Sequence, residues 1–460
     1  MIRRLLIANR GEIAVRIIRA CKELGIETVV VYSTADKESL AVQLADQAVC
    51  IGPAPAKDSY LNMGLIVQTA CSTGCDAVHP GYGFLSENAK FACLVQECDM
   101  TFVGPNPKLI QMMGDKTQAR KLMKEAGVPV VEGCEDALKS VEDAKNMAES
   151  IGYPVIIKAR LGGGGRGMRI VYKAEDLENA YTEARQEAKV CFENDEVYME
   201  RYVENPKHIE VQILGDHYGH VVHLFERDCS FQRKNQKIIE EAPCTALTRD
   251  NREKLLSQAV NAARSIGYDS AGTMEFLMDK QGNFYFMEMN TRIQVEHPVT
   301  EAITGVDLIK WQIKIASGQH LTLKQEDIQC HGHAMECRIN AEDVAHDFAP
   351  SPGPVTFMHV PGGHGVRVDT AVYNGSIISP YYDSMILKLI VSAGNRLECI
   401  KKMRASLEET IVSGVKTNIE FNYLTLYQKE FIEGSHDIGY APILLLSLIH
   451  ISEPTRRRGI

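Results

Sequence analysis

A glycine-rich run at residues 162–167, interrupted only by Arg166, is the strongest constraint on how this chain folds. It joins two apolar segments, residues 155–158 and 168–172, that both have the character of strands. Glycines expose backbone N–H donors without side-chain bulk, so this loop can fold closely over a polyphosphate, with Lys158 and Arg166 adding positive charge. The run matches Gly-x-Gly-x-x-Gly but opens no helix, and it lacks the Gly-Lys-Ser/Thr ending of a P-loop. We therefore predict a phosphate-covering loop between two strands, rather than a dinucleotide site or a flexible linker.

The amino-terminal segment predicts a parallel sheet. Residues 5–8 form a short apolar strand, apolar residues then recur at helical spacing from Ile13 to Leu24, and residues 28–32 form a second buried strand. The first turn lacks the glycine fingerprint of dinucleotide sites, so we expect a Rossmann-like scaffold without a bound dinucleotide. A later turn, residues 79–84, carries Tyr82. The sequence does not decide whether this turn only packs an aromatic ring or has a function.

A hairpin predicts a metal site. Residues 273–278 and 284–290 have strand character, and a four-residue loop over 280–283 would place Glu275 directly opposite Glu288, with Asn290 on the same face. Like charges opposite one another destabilise a hairpin unless a cation neutralises them, and Mg²⁺ with ATP phosphates would do so. The prediction depends on register, because a loop one residue shorter would separate the glutamates. Their apolar neighbours argue against two solvent-facing carboxylates.

Three polar residues alternate directly after this hairpin. An extended backbone would project Arg292, Gln294 and Glu296 to one side. A guanidinium suits a small planar oxyanion, and a carboxylate beside it can accept a proton. The alternative is a surface ion pair, which is normally worth under about 1 kcal/mol. The neighbouring metal hairpin favours catalysis.

Composition excludes several classes of protein. The 460 residues, 45% hydrophobic and 24% charged, are typical of a globular chain of about two to four domains. The net charge of −10 argues against binding to nucleic acid or to an anionic membrane. No secretory signal or membrane-length apolar run is visible, and the 13 cysteines are expected to be reduced thiols, so we expect a cytoplasmic protein.

Changes of pattern along the chain predict three domains. The boundaries fall near residues 112 and 328, which gives segments 1–112, 113–328 and 329–445, with a subdomain at 131–204. Alternation over residues 334–339 and the many Gly/Pro turns that follow predict a β-rich third domain.

Together these motifs closely resemble those of biotin carboxylases. The resemblance covers residues 1–440 and rests on the loop at 162–167, Glu275, Glu288-Met289-Asn290, Arg292-Ile293-Gln294-Val295-Glu296-His297-Pro298, His79-Pro80-Gly81-Tyr82-Gly83 and Tyr381-Tyr382-Asp383-Ser384-Met385. The string from Arg292 to Pro298 separates this family from other ATP-grasp ligases more sharply than the glycine loop does. The resemblance implies an α/β and α+β multidomain fold: a Rossmann-like N-terminal domain, an ATP-grasp domain with a mobile lid at 131–204, and a β-rich C-terminal domain.

The resemblance also implies residues for ATP and metal. The implied ATP contacts are Lys116, Lys158, Gly162, Gly163, Gly164, Gly165, Gly167, Glu200, Tyr202, Val203, His208 and Gln232. The implied ligands of Mg²⁺ or Mn²⁺ are Glu275 and Glu288, with Asn290 nearby. Many relatives have histidine where this chain has Asn235, which puts one nucleotide contact in doubt.

The implied mechanism uses bicarbonate and biotin. The bicarbonate site consists of Lys237, Arg292, Gln294 and the backbone of Val295, and Glu296 removes the proton of the anion. The oxyanion attacks the ATP γ-phosphate to form carboxyphosphate. Arg338 would stabilise the enolate oxygen of biotin, with Tyr82 near the ring. Sequence leaves open that Arg338 is a structural partner of Glu336.

The chain shows no lipoyl-like domain or Met-Lys-Met acceptor, so biotin is expected on a separate biotin carboxyl carrier protein. The resemblance implies the biotin carboxylase subunit of acetyl-CoA carboxylase, a homodimer that works with carboxyltransferase subunits. Alternatives are a subunit of a two-chain pyruvate or other acyl-CoA carboxylase, another ATP-grasp ligase, and a catalytically silent nucleotide-binding subunit. Residues 446–460 resemble a translated sequencing adaptor and are expected to be non-native.

Overall fold

The computed structural model describes residues 2–134, 136–161 and 167–452, so most of the predicted glycine loop lies outside the described residues. Alternating strands and helices form the amino-terminal part: β1 (Arg4–Ile7), α1 (Gly11–Glu23), β2 (Glu27–Tyr32), α2 (Leu40–Leu44), β3 (Gln47–Cys50), α3 (Met63–Ser72), β4 (Ala77–His79), α4 (Ala89–Glu97) and β5 (Thr101–Phe102).

The five strands form one parallel sheet in the order β3-β2-β1-β4-β5, which confirms the predicted Rossmann-like scaffold. Both faces are covered by helices, and the strands are almost continuously apolar, as expected of a buried parallel sheet. The strand order reverses between β1 and β4. The loops after these two strands therefore border the crevice in which open parallel sheets bind ligands.

The central part begins with helices and continues with two sheets. Its elements are α5 (Pro107–Gly114), α6 (Lys116–Glu125), α7 (Val141–Ile151), β6 (Val155–Ala159), β7 (Met168–Val171), α8 (Leu177–Phe192), β8 (Val197–Arg201), β9 (Lys207–Gly215), β10 (Val221–Arg233), β11 (Gln236–Ala242), α9 (Arg249–Ser265), β12 (Ser270–Met278), β13 (Phe284–Asn290), α10 (His297–Thr304) and α11 (Leu308–Ala316).

A small three-stranded antiparallel sheet, β7-β6-β8, packs against α7 and α8 around its own hydrophobic core, with members from Cys134 to Met199. We call this unit the lid. Strands β6 and β7 pair antiparallel, with Lys158 opposite Met168. The glycine loop therefore joins two strands, as predicted.

The carboxy-terminal part is rich in short strands. Its elements are β14 (His333–Asn340), β15 (Glu342–Asp343), β16 (Ala349–Pro350), β17 (Gly353–Pro354), β18 (Phe357–His359), β19 (Val366–Thr370), β20 (Ile377–Ile378), β21 (Met385–Ala393), α12 (Arg396–Glu409), β22 (Ile411–Ser413), α13 (Ile419–Thr425), α14 (Lys429–Ile432) and α15 (Tyr440–Ser452). The expected non-native segment is described as far as Ser452, and its origin stays a prediction.

An eight-stranded antiparallel sheet, in the order β13-β12-β9-β10-β11-β14-β21-β19, spans the central and carboxy-terminal parts. Strand β11 pairs directly with β14, so the sheet continues across the boundary predicted near residue 328. This continuity fixes side chains of β9, β11 and β12 relative to those of β14 and β21. Within the described ranges, we find no helix with both the length and the apolarity to cross a membrane.

Candidate active site

A cavity of about 940 Å³ lies where the amino-terminal sheet, the lid and the eight-stranded sheet meet. The predicted site residues that line it are Tyr82, Lys116, Lys158, His208, Gln232, Lys237, Glu275, Glu288, Asn290, Arg292, Gln294, Val295, Glu296 and Arg338. The structure thus brings together residues predicted for nucleotide, metal, anion and biotin.

Four of the implied ATP contacts lie outside the described residues, namely Gly162, Gly163, Gly164 and Gly165. Four more are not among the residues that line this cavity, namely Gly167, Glu200, Tyr202 and Val203. Tyr202 and Val203 line a second cavity of about 410 Å³, and Glu200 is buried against Lys158. Gly167, which precedes β7, packs with its α-carbon close to Ala159 and has a positive φ. A larger side chain there would be strained.

Glu275 and Glu288 are direct cross-strand partners, as predicted, but the predicted loop is wrong. Met278 pairs with Phe284, so the loop has five residues, 279–283, instead of four. A β-bulge between the Phe276 and Glu275 pairs then shifts the register by one residue and brings the glutamates together. Without the bulge, a five-residue loop would place Glu275 opposite Met287 instead of Glu288.

Lys237 on β11 connects the hairpin to the segment that follows it. Its Nζ lies 2.6 Å from Glu210, 3.2 Å from Glu275 and 2.6 Å from Glu296. Burial lowers the pKa of Lys237, but these three carboxylates outweigh burial and hold it well above its ordinary value. A permanently charged ammonium therefore sits between the predicted metal carboxylates and the predicted base.

Three glutamates lie side by side on neighbouring strands. Glu210 on β9 is opposite Glu275 on β12, which is opposite Glu288 on β13. His208, Glu210 and Glu275 place ligand atoms within 4.8 Å of one another. Burial raises the pKa of Glu275, but Lys237 and His208 outweigh it and lower the pKa below its ordinary value. This row of carboxyl oxygens fits Mg²⁺ or Mn²⁺, which prefer carboxylates and phosphate oxygens.

The Arg292 guanidinium is oriented by three acceptors. Nε donates to Glu87 at 2.8 Å, one Nη to the Gln294 side chain at 2.8 Å and the other Nη to Asn290 Oδ1 at 2.9 Å. Gln294 and Asn290 in turn donate to Glu275, at 2.9 and 2.8 Å. The predicted anion residue is therefore tied to the predicted metal residues by direct hydrogen bonds.

The expectation of an extended backbone from Arg292 to Glu296 is wrong at its end. Residues 295 and 296 form a turn, and Glu296, with φ −81° and ψ 11°, precedes the first turn of α10. Pro298 in that first turn favours the helix start, because proline suits the first helical positions. The three side chains nevertheless line the same cavity, because the turn directs the Glu296 carboxylate toward Lys237.

Glu296 is completely buried and doubly paired. Besides Lys237, Arg338 Nη2 lies 2.9 Å from its carboxylate. Burial raises its pKa, but Lys237, Arg338 and Arg227 outweigh burial and lower the pKa well below the ordinary value. The side chain is thus ionised and able to accept a proton.

Arg338 on β14 binds two carboxylates. Its Nε lies 2.6 Å from Glu240 on β11, and it also contacts Glu296. The possible structural partner Glu336 makes no hydrogen bond to any described residue through its carboxylate. Burial and the neighbouring acids raise the pKa of Glu240 to about 7, although Arg338 opposes this. Arg338 thus lines the cavity, on a strand that β9, β10 and β11 separate from the β12–β13 hairpin.

The turn that follows β4 is part of the cavity wall. Asn9, after β1, donates its Nδ2 to the carbonyls of Pro80 and Tyr82, both at 2.7 Å. Gly81 has a positive φ, and a side chain there would collide with Asn9. The Tyr82 hydroxyl, which faces the cavity wall, donates to Glu12. The turn at residues 79–84, whose role the sequence did not decide, is therefore held at the cavity wall by these hydrogen bonds.

On the nucleotide side, the lysines contact carboxylates of the chain itself. Lys158 Nζ lies 2.5 Å from Glu200, which Arg120 also contacts, and Lys116 Nζ lies 3.5 Å from Glu288. His208 is 3.1 Å from Glu275 and 3.2 Å from Gln232. Lys116 and Lys158 line the cavity and can neutralise an anionic ligand.

Sequence reasoning missed three functional candidates: Glu210, Arg227 and Lys388. The alternation of polar and apolar residues in β9 was a usable signal for Glu210, because His208, Glu210 and Gln212 share one face. Arg227, fully buried, donates to Gln212 and Thr300 at 2.7 and 2.9 Å. Lys388 donates to the carbonyl of Val295 at 2.8 Å, a contact across 93 residues that no local pattern indicates.

Family models match three consecutive parts of the chain. They are the N-terminal domain of biotin carboxylase at residues 1–110, the ATP-binding domain of the carbamoyl-phosphate synthase L chain at residues 115–324, and the biotin carboxylase C-terminal domain at residues 336–441.

Individual relatives match almost the whole chain. Biotin carboxylase 1 of Bacillus subtilis is 55% identical over 441 residues, which are 96% of this chain and 98% of the relative. Biotin carboxylase of Haemophilus influenzae is 54% identical over 441 residues, with the same coverage. A similar solved structure is the biotin carboxylase domain dimer of the Hydrogenobacter thermophilus 2-oxoglutarate carboxylase, in complex with MgADP, ADP and bicarbonate. Its TM-score is 0.94 and its identity 52%, and the match covers 97% of this chain and 99% of that one. The chain belongs to the biotin carboxylase family.

Proposed function

We propose that this protein is a ligase that carboxylates biotin on a separate biotin carboxyl carrier protein, with ATP and bicarbonate and through carboxyphosphate. The observation that carries the proposal is the position of Lys237. We call residues 292–296 the anion segment. One ammonium contacts Glu275 of the metal hairpin and Glu296 of the anion segment within 3.2 Å. A site that cleaves ATP with bicarbonate as the nucleophile needs this proximity, because the two reactants must meet in line.

Bicarbonate binds between Arg292, Gln294, Lys237 and the backbone of Val295. The Arg292 fork, fixed by its contacts to Glu87 and Asn290, presents its donors to a planar oxyanion. Glu296 accepts the proton of bicarbonate, because its carboxylate is ionised and lies against Lys237.

One bicarbonate oxygen then forms a bond to the γ-phosphorus of ATP, and the bond from that phosphorus to the β-γ bridging oxygen breaks, which releases ADP. Mg²⁺ or Mn²⁺, held by Glu275 and Glu288 with Asn290 beside them, would neutralise phosphate charge. Lys116, Lys158 and His208 bind the nucleotide, and the glycine loop with Glu200, Tyr202, Val203 and Gln232 completes the nucleotide site. Lys158 must exchange its contact with Glu200 for a phosphate oxygen, because its ammonium is at hydrogen-bond distance from that carboxylate.

Carboxyphosphate breaks down to CO₂ and phosphate, and the phosphate accepts the N1 proton of biotin. The resulting enolate forms the N–C bond with CO₂. Arg338 stabilises the enolate oxygen, and Tyr82 lies beside the ring. When Arg338 turns to biotin, Glu296 loses one of its cations, and its affinity for a proton increases.

The carboxylated carrier delivers its carboxyl group to carboxyltransferase subunits, and acetyl-CoA is the final acceptor that we favour. A 2-oxoglutarate carboxylase is the alternative, because a relative of that name is 53% identical over 96% of this chain. We further propose that the protein is a homodimer. We also propose three domains, at 1–112, 113–328 and 329–445, with a mobile lid at 131–204 inside the second. The separate hydrophobic core of the lid supports this division. Residues 446–460 are non-native in this proposal.

The test is transfer of labelled carbon from bicarbonate to biotin. With MgATP, labelled bicarbonate and either free biotin or biotinylated carrier protein, we expect acid-labile label on biotin in proportion to the ADP formed. ATP cleavage without any labelled biotin would instead support another ATP-grasp ligase. Nucleotide binding without ATP cleavage would support a silent subunit.

A further inference from the structure

The backbone on either side of Val295 is fixed by two buried side chains that lie behind the cavity wall. The carbonyl of Gln294 accepts a hydrogen bond from His297 Nδ1 at 2.7 Å, and the carbonyl of Val295 accepts one from Lys388 Nζ at 2.8 Å. Both side chains are fully buried, with exposures of 0%. The Gln294 carbonyl otherwise accepts only a long backbone hydrogen bond, from the His297 N–H at 3.4 Å, among the described residues. The two side chains therefore provide the shorter contacts that fix these peptide planes.

The first contact determines where the Val295 N–H points. In a trans peptide the carbonyl and the N–H of the next residue point in opposite directions. Because the Gln294 carbonyl points to His297, the Val295 N–H points to the opposite side, and Val295 lines the cavity. Among the described residues, this N–H has no hydrogen-bond partner. A free donor therefore faces the cavity between Gln294 and Glu296.

The protonation states of both side chains support these contacts. Burial and the positive charges of Lys388, Arg16 and Arg367 lower the pKa of His297 well below its ordinary value, so the ring is neutral and carries its proton on Nδ1. Burial lowers the pKa of Lys388, but the acids Glu12, Glu336 and Asp369 outweigh it and raise the pKa above its ordinary value. The ammonium remains charged.

Lys388 also connects the Val295 backbone to the biotin side of the cavity. Its Nζ lies 3.0 Å from Glu12 on α1 and 3.9 Å from Asp369 on β19. Glu12 in turn accepts the hydrogen bond of the Tyr82 hydroxyl. The buried Lys388–Glu12 ion pair therefore joins the anion segment, helix α1 and strand β21 of the eight-stranded sheet.

We propose that Lys388 and His297 are positioning residues of the bicarbonate site, which fix the peptide planes around Val295 so that its N–H and the Glu296 carboxylate face the anion. The inference rests on the proposed function and adds two residues that set the affinity for bicarbonate without touching it. Removal of one partner of a buried ion pair destabilises the fold, because the other charge is left buried and uncompensated, but this loss does not act on one substrate in particular. A purely structural role therefore predicts no selective effect on the anion.

The first test is Lys388→Met, which keeps the length of the side chain and removes its donors. Lys207→Met is the matched control, because Lys207 is also buried, lies 2.7 Å from the carbonyl of His436 and 3.3 Å from Asp228, and contacts no residue of the anion segment among the described contacts. In Lys388→Met we expect the KM for bicarbonate to rise roughly tenfold, the effect of losing one hydrogen bond to a charged group, while the KM for ATP changes less than about twofold. Lys207→Met should leave the bicarbonate KM unchanged at a similar loss of thermal stability.

The second test does not depend on whether Lys388→Met folds. His297→Asn keeps a side-chain N–H near the position of Nδ1, whereas His297→Leu removes it. The bicarbonate KM should rise in His297→Leu and be largely restored in His297→Asn.

Three outcomes would overturn the inference. One is a bicarbonate KM that is unchanged in Lys388→Met and His297→Leu while the wild type is active. Another is an equal rise in both variants of His297, or an equal rise in Lys207→Met. The third, a wild type without bicarbonate-dependent ATP cleavage, would overturn the proposed function together with this inference.

Discussion

The two sides of the cavity differ in how their charged groups are held. On the anion side, Lys237 contacts three carboxylates and Arg292 contacts three side-chain acceptors. All of these except Glu87, which belongs to the amino-terminal part, lie on the eight-stranded sheet or the segment next to it. On the nucleotide side, Lys158 belongs to the separate lid and contacts Glu200, which does not line the cavity. The anion side is therefore preorganised, whereas the nucleotide side must exchange partners when a phosphate arrives.

This difference suggests that the two sides contribute differently, one to the chemical step and the other to nucleotide binding. Preorganised donors and charges stabilise a transition state without reorganisation at the moment of reaction. A lid that exchanges an internal carboxylate for a phosphate couples closure to nucleotide binding. Substitutions on the anion side should therefore reduce turnover, and substitutions on the lid should reduce nucleotide affinity.

The largest effect is expected from Glu296→Ala. Loss of the base should reduce kcat for bicarbonate-dependent ATP cleavage by roughly 10²-fold or more, which is the usual contribution of a positioned general base. The Kd for ATP should change less than about twofold, because Glu296 lies on the anion side. Steady-state phosphate release and nucleotide titration measure the two quantities. Retained turnover would remove Glu296 from this role, and exposed Glu253→Ala serves as the control.

The reverse pattern is expected from Lys158→Met. Loss of a charged hydrogen-bond donor to phosphate should weaken ATP binding roughly tenfold. The KM for bicarbonate should stay unchanged, because Lys158 contacts Glu200 and, among the described residues, none of the anion side. Lys173→Met, an exposed lysine of the same lid, is the matched control. An unchanged Kd for ATP would contradict the placement of Lys158.

The two carboxylates that we propose as metal ligands should differ in their effect on stability. Glu275 accepts hydrogen bonds from Lys237, Asn290 and Gln294, whereas the side chain of Glu288 is 26% exposed and contacts Lys116 at 3.5 Å. Glu275→Gln should therefore lower the free energy of unfolding by roughly 1 to 3 kcal/mol, and Glu288→Gln by much less. Both should raise the Mg²⁺ concentration needed for half-maximal activity. Denaturant titration with and without Mg²⁺ checks this, and equal destabilisation would show that the two carboxylates are held alike.

The smallest effect concerns pH. Burial lowers the pKa of His79 from 6.5 to about 3, so the unfolded chain binds a proton in the range between these values and the folded chain does not. This group therefore contributes no pH dependence above pH 6.5 and destabilises the fold as pH falls below it, by about 1.4 kcal/mol at pH 5.5.

His79→Asn should remove that increment while keeping a polar side chain near the Gly81 N–H, which donates to His79 Nδ1 at 3.0 Å. Unfolding free energies of wild type and variant at pH 8 and pH 5.5 measure the difference. An identical pH dependence in both would show that folding does not lower the pKa of His79.

Much of the local structure was predictable because it depends on residues near one another in sequence. The β-α-β opening, the strands around the glycine loop and the hairpin all follow from apolar periodicity and turn residues. The pairing of Glu275 with Glu288 was predicted from a loop that is wrong, since a bulge at Met287 changes the register and no sequence pattern marked that bulge.

The rest depends on contacts between distant segments. Arg338 pairs with Glu240 across 98 residues, and Lys388 reaches Val295 across 93. The continuity of one sheet across the predicted boundary at 328 brings these strands together, and it results from the pairing of β11 with β14. The turn at Glu296 was also not predicted, because α10 begins at His297, with Pro298 in its first turn, where alternation predicted an extended backbone.

The central claim is that the preorganised side and the lid side form one site in which bicarbonate attacks ATP. Phosphate release by the purified protein, with MgATP and biotin and with or without bicarbonate, tests it most directly. We predict release that depends on bicarbonate and is lost in Glu296→Ala. Equal rates with and without bicarbonate in the wild type would contradict the account.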